Sequence, residues 1–247
     1  MGRPDFWKQA LALARNDPRD AVRKAWRYLR PRRADYRARL RLTLADWLLH
    51  HQRQVMFAEC RWMGVKAYKS PLDAWILQEI LFEVKPDVVV EIGSAEGGST
   101  LYLASLMDLI GKGKVLSIDI DRSRFAAVHP RIVTLTGDSS SAPIVAQAAE
   151  VCGGQSVLVV HDGDHRKDPV LRDLEAYAPL VSVGSYLIVE DGIIDLFRPG
   201  DGIGGFGDGP LAASEEFVVR QPEFEVDASR ERYLATYNPR GYLRRTR

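Results

Sequence analysis

Residues 88–100 read Val-Val-Val-Glu-Ile-Gly-Ser-Ala-Glu-Gly-Gly-Ser-Thr. Three β-branched residues run into Glu91, a glycine-rich turn follows, and a helical pattern begins behind it. A wholly apolar run of this kind suits a strand buried on both faces of a parallel sheet. Gly93, Gly97 and Gly98 let the backbone turn tightly and approach a ligand closely. Glu91 stands at the end of the strand, where open α/β sheets bind their ligands. The spacing is E-x-G-x-x-x-G-G, not the G-x-G-x-x-G of a dinucleotide fold. A dinucleotide brings a pyrophosphate to the helix N-terminus, whereas a carboxylate at Glu91 suits a ligand with a cationic or donor-rich part. The competing reading is a plain packing turn between strand and helix.

Downstream of the turn, Leu101, Leu103, Ala104, Leu106, Met107 and Ile110 predict a buried helix, ended by Gly111 and Gly113. Lys114–Ile120 (KVLSIDI) is a second strand. Asp119 at its end can accept the two hydroxyls of a ribose, or, like Asp121, cap a helix. S-adenosylmethionine (SAM) carries an ammonium, a ribose and a sulfonium, and so matches both acidic positions. Arg131–Thr136 is a third strand. It closes in Gly137-Asp138-Ser139-Ser140, which either reaches an adenine edge or caps the helix at 143–151.

Gln155–Val160 is a fourth strand, followed by His161-Asp162-Gly163-Asp164-His165. After a helix at 169–180, a fifth strand, Ser185–Val189, ends in Glu190-Asp191. Neighbouring parallel strands would bring Asp162, Asp164, Glu190 and Asp191 together on the rim that carries Glu91. Carboxylates this close repel unless a cation or protons hold them. An all-oxygen set favours a hard cation such as Mg²⁺, which keeps open positions for substrate oxygens. His165 beside it suits a general base for a hydroxyl proton. Helix caps and a surface histidine are the bland alternative. His161 reads as a packing or supporting residue.

Working back toward the start, Asp73 opens a helix whose apolar face is Trp75, Ile76, Ile80 and Leu81 and which ends before Pro86. Lys66, Tyr68 and Lys69 precede it and are candidates for a substrate mouth. Residues 1–60 form a helical extension, and 61–247 form the main domain. Nine basic residues lie between Arg23 and Arg41, broken by Pro31. They read as a solvated face over Trp26, Leu29, Leu40, Leu44, Trp47 and Leu48, with an oligomer contact as the second reading. A homo-oligomer is expected. Toward the other end, Pro199–Pro210 carries six glycines and reads as a lid or a linker. Glu223–Val226 and Leu234–Tyr237 read as strands, with Tyr242–Arg245 continuing the last.

Composition closes off several function classes. The 247 residues carry a formal net charge of +1, which gives no general case for a nucleic-acid partner. The two cysteines, Cys60 and Cys152, have no metal-site spacing and read as thiols in a reducing compartment. No apolar run spans a membrane and no secretory segment is evident, so a cytoplasmic protein without a transmembrane segment is expected.

Taken together, the glycine turn, the acidic second strand end and the antiparallel tail resemble class I SAM-dependent methyltransferases. More narrowly, KSPLDAWILQEIL, PDVVVEIGSAEGGST, VLSIDID, GDSS, HDGDH, GSYLIVED and NPRGYLRR resemble the cephalosporin hydroxylase/rhamnosyl O-methyltransferase family over about residues 60–247. The resemblance implies an α/β fold: a doubly wound, mostly parallel seven-stranded sheet with an antiparallel C-terminal strand, the N-terminal helices being extra. It implies a Mg²⁺-dependent O-methyltransferase acting on a hydroxyl, often of a sugar on a glycosylated natural product or glycolipid. SAM would be held by Glu91, Gly93, Ser94, Gly97, Ser99, Asp119 and Asp162, with Asp138 and Ser139 near the adenine. Asp162, Glu190 and Asp191 would bind the metal, and His165 would be the base. The family often reads L-D-S-D-H where this chain has Val160-His161-Asp162-Gly163-Asp164-His165. Asp162 is favoured over Asp164 because it directly ends the strand. A nicotinamide-dependent oxidoreductase and a non-catalytic scaffold are the alternatives.

Overall fold

The computed structural model describes residues 36–197 and 207–247. The chain divides into two compact units between Trp47 and Leu48. In the first, α1 is Tyr36–Arg39 and α2 is Leu44–His50, which runs across the division. Thr43 opens α2 with a reciprocal cap: its amide donates to Asp46 Oδ2 at 3.1 Å, and the Asp46 amide donates to Thr43 Oγ1 at 3.1 Å. Leu40 and Leu44 are exposed, against the expectation that they pack inward. The basic stretch up to Arg33, with Trp26 and Leu29, and most of the glycine-rich segment lie outside the described residues.

The second unit opens with a π-helical turn, His51–Met56. A small hairpin follows, β1 Arg61–Trp62 and β2 Val65–Lys66, then α3 Pro71–Val84. Strand and helix then alternate: β3 Val88–Ile92, α4 Gly98–Ile110, β4 Lys114–Asp119, β5 Ile132–Thr136, α5 Ala142–Cys152, β6 Val157–His161, α6 Lys167–Tyr177 and β7 Tyr186–Val189. The chain closes with α7 Pro210–Arg220, β8 Phe224–Val226 and β9 Tyr242–Arg245. No helix among the described residues is long and apolar enough to cross a membrane.

The large sheet has seven strands in the order β5-β4-β3-β6-β7-β9-β8. Pairings from β5 through β7 are parallel, and β9 runs antiparallel to both β7 and β8. This is the doubly wound sheet that the sequence predicts. The chain winds outward from β3 to β5, then returns to lay β6 on the other side of β3. That reversal leaves a crevice at the carboxyl ends of β3 and β6, where folds of this kind take ligands.

β3 is buried along its whole length, and the period of two sorts its side chains between two cores. Val88, Val90 and Ile92 pack with Ile144 of α5, Leu174 and Tyr177 of α6 and Phe217 of α7. Val89 faces the other way, onto Ile76 and Ile80 of α3 and Leu103 and Met107 of α4. Each such side chain contributes about 1.5–3 kcal/mol on leaving water. Cys152 is a buried thiol of the first core and Cys60 is half-buried; neither is in a disulfide.

Three local expectations differ from the structure. Helix α3 starts at Pro71, two residues before Asp73, because proline suits the first helical position. Trp75 points outward, 58% exposed, its Nε1 donating to Glu79 at 3.1 Å. Residues 234–237 form no strand. Asp73 takes them instead, accepting from the Tyr237 amide at 2.9 Å and from Thr236 Oγ1 at 2.5 Å. The antiparallel strand is therefore Tyr242–Arg245 alone.

Gly93 ends β3 with φ +81°, and a Cβ there would lie 2.1 Å from the Asp162 carbonyl oxygen. Gly93→Ala therefore meets both backbone strain and a collision with the neighbouring strand end. It is expected to cost more than about 1 kcal/mol of stability, read as a lower urea midpoint. The same backbone shift should also abolish ligand binding in the crevice.

Candidate active site

The glycine turn is built on the end of β4. Asp119 Oδ2 accepts from the amides of Ser94 and Ala95, each at 2.8 Å, and Oδ1 accepts from the Asp121 amide at 3.0 Å. Burial opposes ionisation of Asp119, but these three amides outweigh it and hold the carboxyl below the ordinary range. Arg122 stitches the same turn from beneath. Its guanidinium donates to Ser94 Oγ at 2.7 Å, Ser117 Oγ at 2.9 Å and the Leu135 carbonyl at 2.9 Å, and it sits over the Phe125 ring. Sequence reading passed over Arg122, whose signal was an arginine three places past an acidic strand end.

Glu91 is buried under the turn, 1% exposed. Thr100 Oγ1 donates to its Oε2, while Oε1 has no partner among the described residues. Burial, the largest effect, raises its pKa, against the neighbouring hydroxyls of Ser99 and Thr100, which lower it. An orphaned, desolvated acceptor directly below a glycine turn fits a donor-bearing ligand.

A cavity of about 730 Å³ runs over this floor. Of the predicted residues, Gly93, Ser94, Ser99, Asp119, Asp138, Ser139, Asp162, His165 and Asp191 line it, as do Lys66 and Tyr68. Glu91, Gly97, Glu190 and Lys69 stand behind the lining. Asp138 folds back on its own turn, accepting from Ser140 N at 3.0 Å and Ser140 Oγ at 2.9 Å. Ser139 Oγ donates to Asp173 Oδ1 at 2.8 Å, and Asp173 Oδ2 meets His161 Nε2 at 3.0 Å. His161 is thus a buried support, as its sequence position suggested.

The acidic end of the cavity follows from strand register. Ile92 pairs with His161 and His161 with Val189, so the next residues, Gly93, Asp162 and Glu190, sit level. The ladder continues past the strand ends: Asp162 N donates to the Ile92 carbonyl at 2.8 Å, and Glu190 N to the His161 carbonyl at 2.9 Å. Asp162, His165 and Asp191 present ligand atoms all within 4.8 Å of one another. His165 Nε2 lies 3.0 Å from Asp191 Oδ2. Glu190 is in a different arrangement, hydrogen-bonded to the buried Lys69 ammonium, which also lies 3.7 Å from Asp162 Oδ2. Asp164 also lines the cavity but is held by Arg166, which donates from its amide at 2.8 Å and from Nη2 at 2.5 Å.

Protonation follows from this crowding. Burial is the main cause raising Asp162 to about 6 and Glu190 to about 8, with Lys69 pulling both the other way. Burial would depress His165, but the hydrogen bond and charge of Asp191 and the charge of Asp162 lift it to about 9. Burial would likewise depress Lys69, and the Glu190 and Asp162 charges more than reverse that. Two carboxylates and an imidazole gathered around one point in a half-buried pocket are a donor set suited to a divalent cation.

The protein-family model for rhamnosyl O-methyltransferase/CmcI matches residues 54–246. The rhamnosyl O-methyltransferase of Mycobacterium leprae (strain TN) is 35% identical over 189 residues, covering 74% of this chain and 81% of that protein. That of Mycobacterium tuberculosis (strain ATCC 25618 / H37Rv) is 33% identical over 200 residues, covering 76% and 79%. Among solved structures, CmcI with Mg and SAM superposes with a TM-score of 0.61 at 23% identity, over 77% of this chain and 78% of that one. This last likeness is one of fold.

Proposed function

The chain belongs to the rhamnosyl O-methyltransferase/CmcI family, and from that premise we propose that it moves a methyl group from SAM to a sugar hydroxyl, with Mg²⁺ as its cofactor. One observation carries the reading: the histidine and two aspartates gathered within 4.8 Å at one end of a ligand-sized cavity. The M. leprae and M. tuberculosis relatives are rhamnosyl O-methyltransferases by name, so a rhamnosyl or similar glycoside is the acceptor class. A glycosylated natural product or glycolipid is the setting.

In this reading Gly93, Ser94, Gly97 and Ser99 would admit SAM at the glycine turn and Asp119 would accept from its ribose. Asp138 and Ser139 flank the adenine. Glu91 supplies negative charge from beneath, toward the ammonium end. The sulfonium supplies an activated methyl group and a good leaving group. With SAM bound there, transfer to the acceptor hydroxyl would form a carbon–oxygen bond, break the carbon–sulfur bond and release S-adenosylhomocysteine, the hydroxyl proton going to His165.

Asp162 and Asp191 would hold Mg²⁺, with Glu190 behind them as the third carboxylate. Bound there, the ion would supply positive charge that acidifies the acceptor hydroxyl and, by neutralising Asp162 and Asp191, loosens the proton they keep on His165. His165 receives the hydroxyl proton on an imidazole nitrogen. Asp191 orients the ring through Nε2 as the acidic partner of a catalytic histidine does. Asp164, occupied by Arg166, has no part in this.

Calorimetric titration with S-adenosylhomocysteine, with and without Mg²⁺, tests the reading against a parallel NAD titration. Micromolar binding of S-adenosylhomocysteine and none of NAD is the expected result. Binding of NAD alone would install the oxidoreductase alternative, and binding of neither would favour a scaffold.

A further inference from the structure

Lys69 is charged, 7% exposed and far in sequence from the residues it touches. It leaves the chain two residues before Pro71 opens α3, and its ammonium reaches Glu190 while standing 3.7 Å from Asp162. A buried ammonium is costly to desolvate and persists only where its partners repay that cost. Here the partners are two of the three carboxylates assigned above to the cation. Its backbone is tied nearby: the Lys69 main-chain carbonyl accepts from Cys60 Sγ at 3.4 Å.

The charges at this end of the cavity balance in a simple way. Asp162, Glu190 and Asp191 carry three negative charges when ionised. A divalent cation supplies two positive ones. Lys69 supplies the third. Geometry separates the two positive charges. Lys69 occupies Glu190 Oε2 on the α3 side, while Asp162, His165 and Asp191 gather on the cavity side.

We propose that Lys69 is a positioning residue of the divalent-cation site: it fixes the Glu190 carboxylate and supplies the third positive charge behind the ligand cluster. The proposal rests on the metal reading given above. Two opposed effects follow from removing the ammonium. Repulsion between Lys69 and the bound cation is relieved, which would tighten binding. Glu190 loses the hydrogen bond that fixes its carboxylate behind the ligand cluster, which weakens it. The second dominates because the ammonium's charge is already spent on the two carboxylates it touches, which leaves little repulsion to relieve. Groups that orient metal ligands typically contribute tenfold to a hundredfold in affinity.

The test is Mn²⁺ binding to the full chain, followed by calorimetry and by the paramagnetic signal of free ion. Wild type, Lys69→Met and Lys69→Arg are compared, with S-adenosylhomocysteine binding as a check on the fold. Lys69→Met is expected to bind Mn²⁺ about tenfold to a hundredfold more weakly, with S-adenosylhomocysteine binding kept. Lys69→Arg, which preserves the charge, should recover most of the loss. Equal or tighter Mn²⁺ binding by Lys69→Met, with wild type binding normally, would overturn the Lys69 role and leave the metal reading standing. Absence of Mn²⁺ binding by the wild type would overturn the metal reading and this inference together. If Lys69→Met fails to fold, the arginine variant decides alone: a loss of Mn²⁺ affinity of two orders or more would show that charge at this place is not enough.

Discussion

Replacing His165 with glutamine is expected to lower kcat by roughly a hundredfold to ten-thousandfold while S-adenosylhomocysteine binds as in the wild type. A sugar hydroxyl is a weak acid, and its proton must leave as the carbon–oxygen bond forms. His165 lines the cavity, and its ring is held by one strong contact, Nε2 to Asp191 Oδ2 at 3.0 Å. It takes no part in either hydrophobic core, so the substitution should spare the fold. The loss should fall on kcat more than on KM, because the proton is transferred only on the way to the transition state. Turnover that survives the substitution with substrate saturating would remove His165 from the chemistry.

The second large effect is expected from Asp191→Asn. Asp191 has φ +60°, a left-handed conformation that asparagine adopts at lower cost than alanine. Asparagine therefore tests the charge without disturbing the turn that follows β7. Losing a carboxylate ligand should reduce divalent-ion affinity by at least the tenfold to hundredfold that supporting groups contribute. It also takes away the main partner that lifts His165 to about 9. The measurement is activity against Mg²⁺ concentration after exhaustive chelation. The wild type should be silent until the ion is restored, and the variant should need far more. Full activity in the chelated wild type would sink the metal reading outright.

Legibility in the sequence depended on how local the cause was. The run Val88–Ile92 and its glycine turn announced a buried parallel strand because the signal sits within a dozen residues. Asp162 and Asp191 were readable because each lies within two residues of the end of a buried strand, and the parallel rule places such ends on one rim. Residues whose meaning lies in distant partners were silent or misread. Lys69 looked like a mouth residue, yet its partner Glu190 is 121 positions away. Asp73 looked like a helix opener, yet it accepts from Tyr242 at 2.9 Å, 169 positions on, and from the Tyr237 amide. That same contact removed the strand expected at 234–237. Asp195 gave no signal at all. It caps α7, accepting from Gly209 N and Ala212 N at 3.0 Å each.

The backbone ladder that runs past the ends of β3 and β6 bears on the entropy of ligand capture. The amides of Asp162 and Glu190 are bonded to the adjacent strand at 2.8 and 2.9 Å before any ligand arrives. Their main chain shares the slow opening of the central sheet, not the faster opening of loops. An ion settling there has only side-chain rotamers left to immobilise, and ordering backbone is the larger share of what a loop-built site must forfeit. Amide hydrogen exchange at Asp162 and Glu190 is therefore expected to be slow already in the ligand-free chain, with little room to slow further on binding.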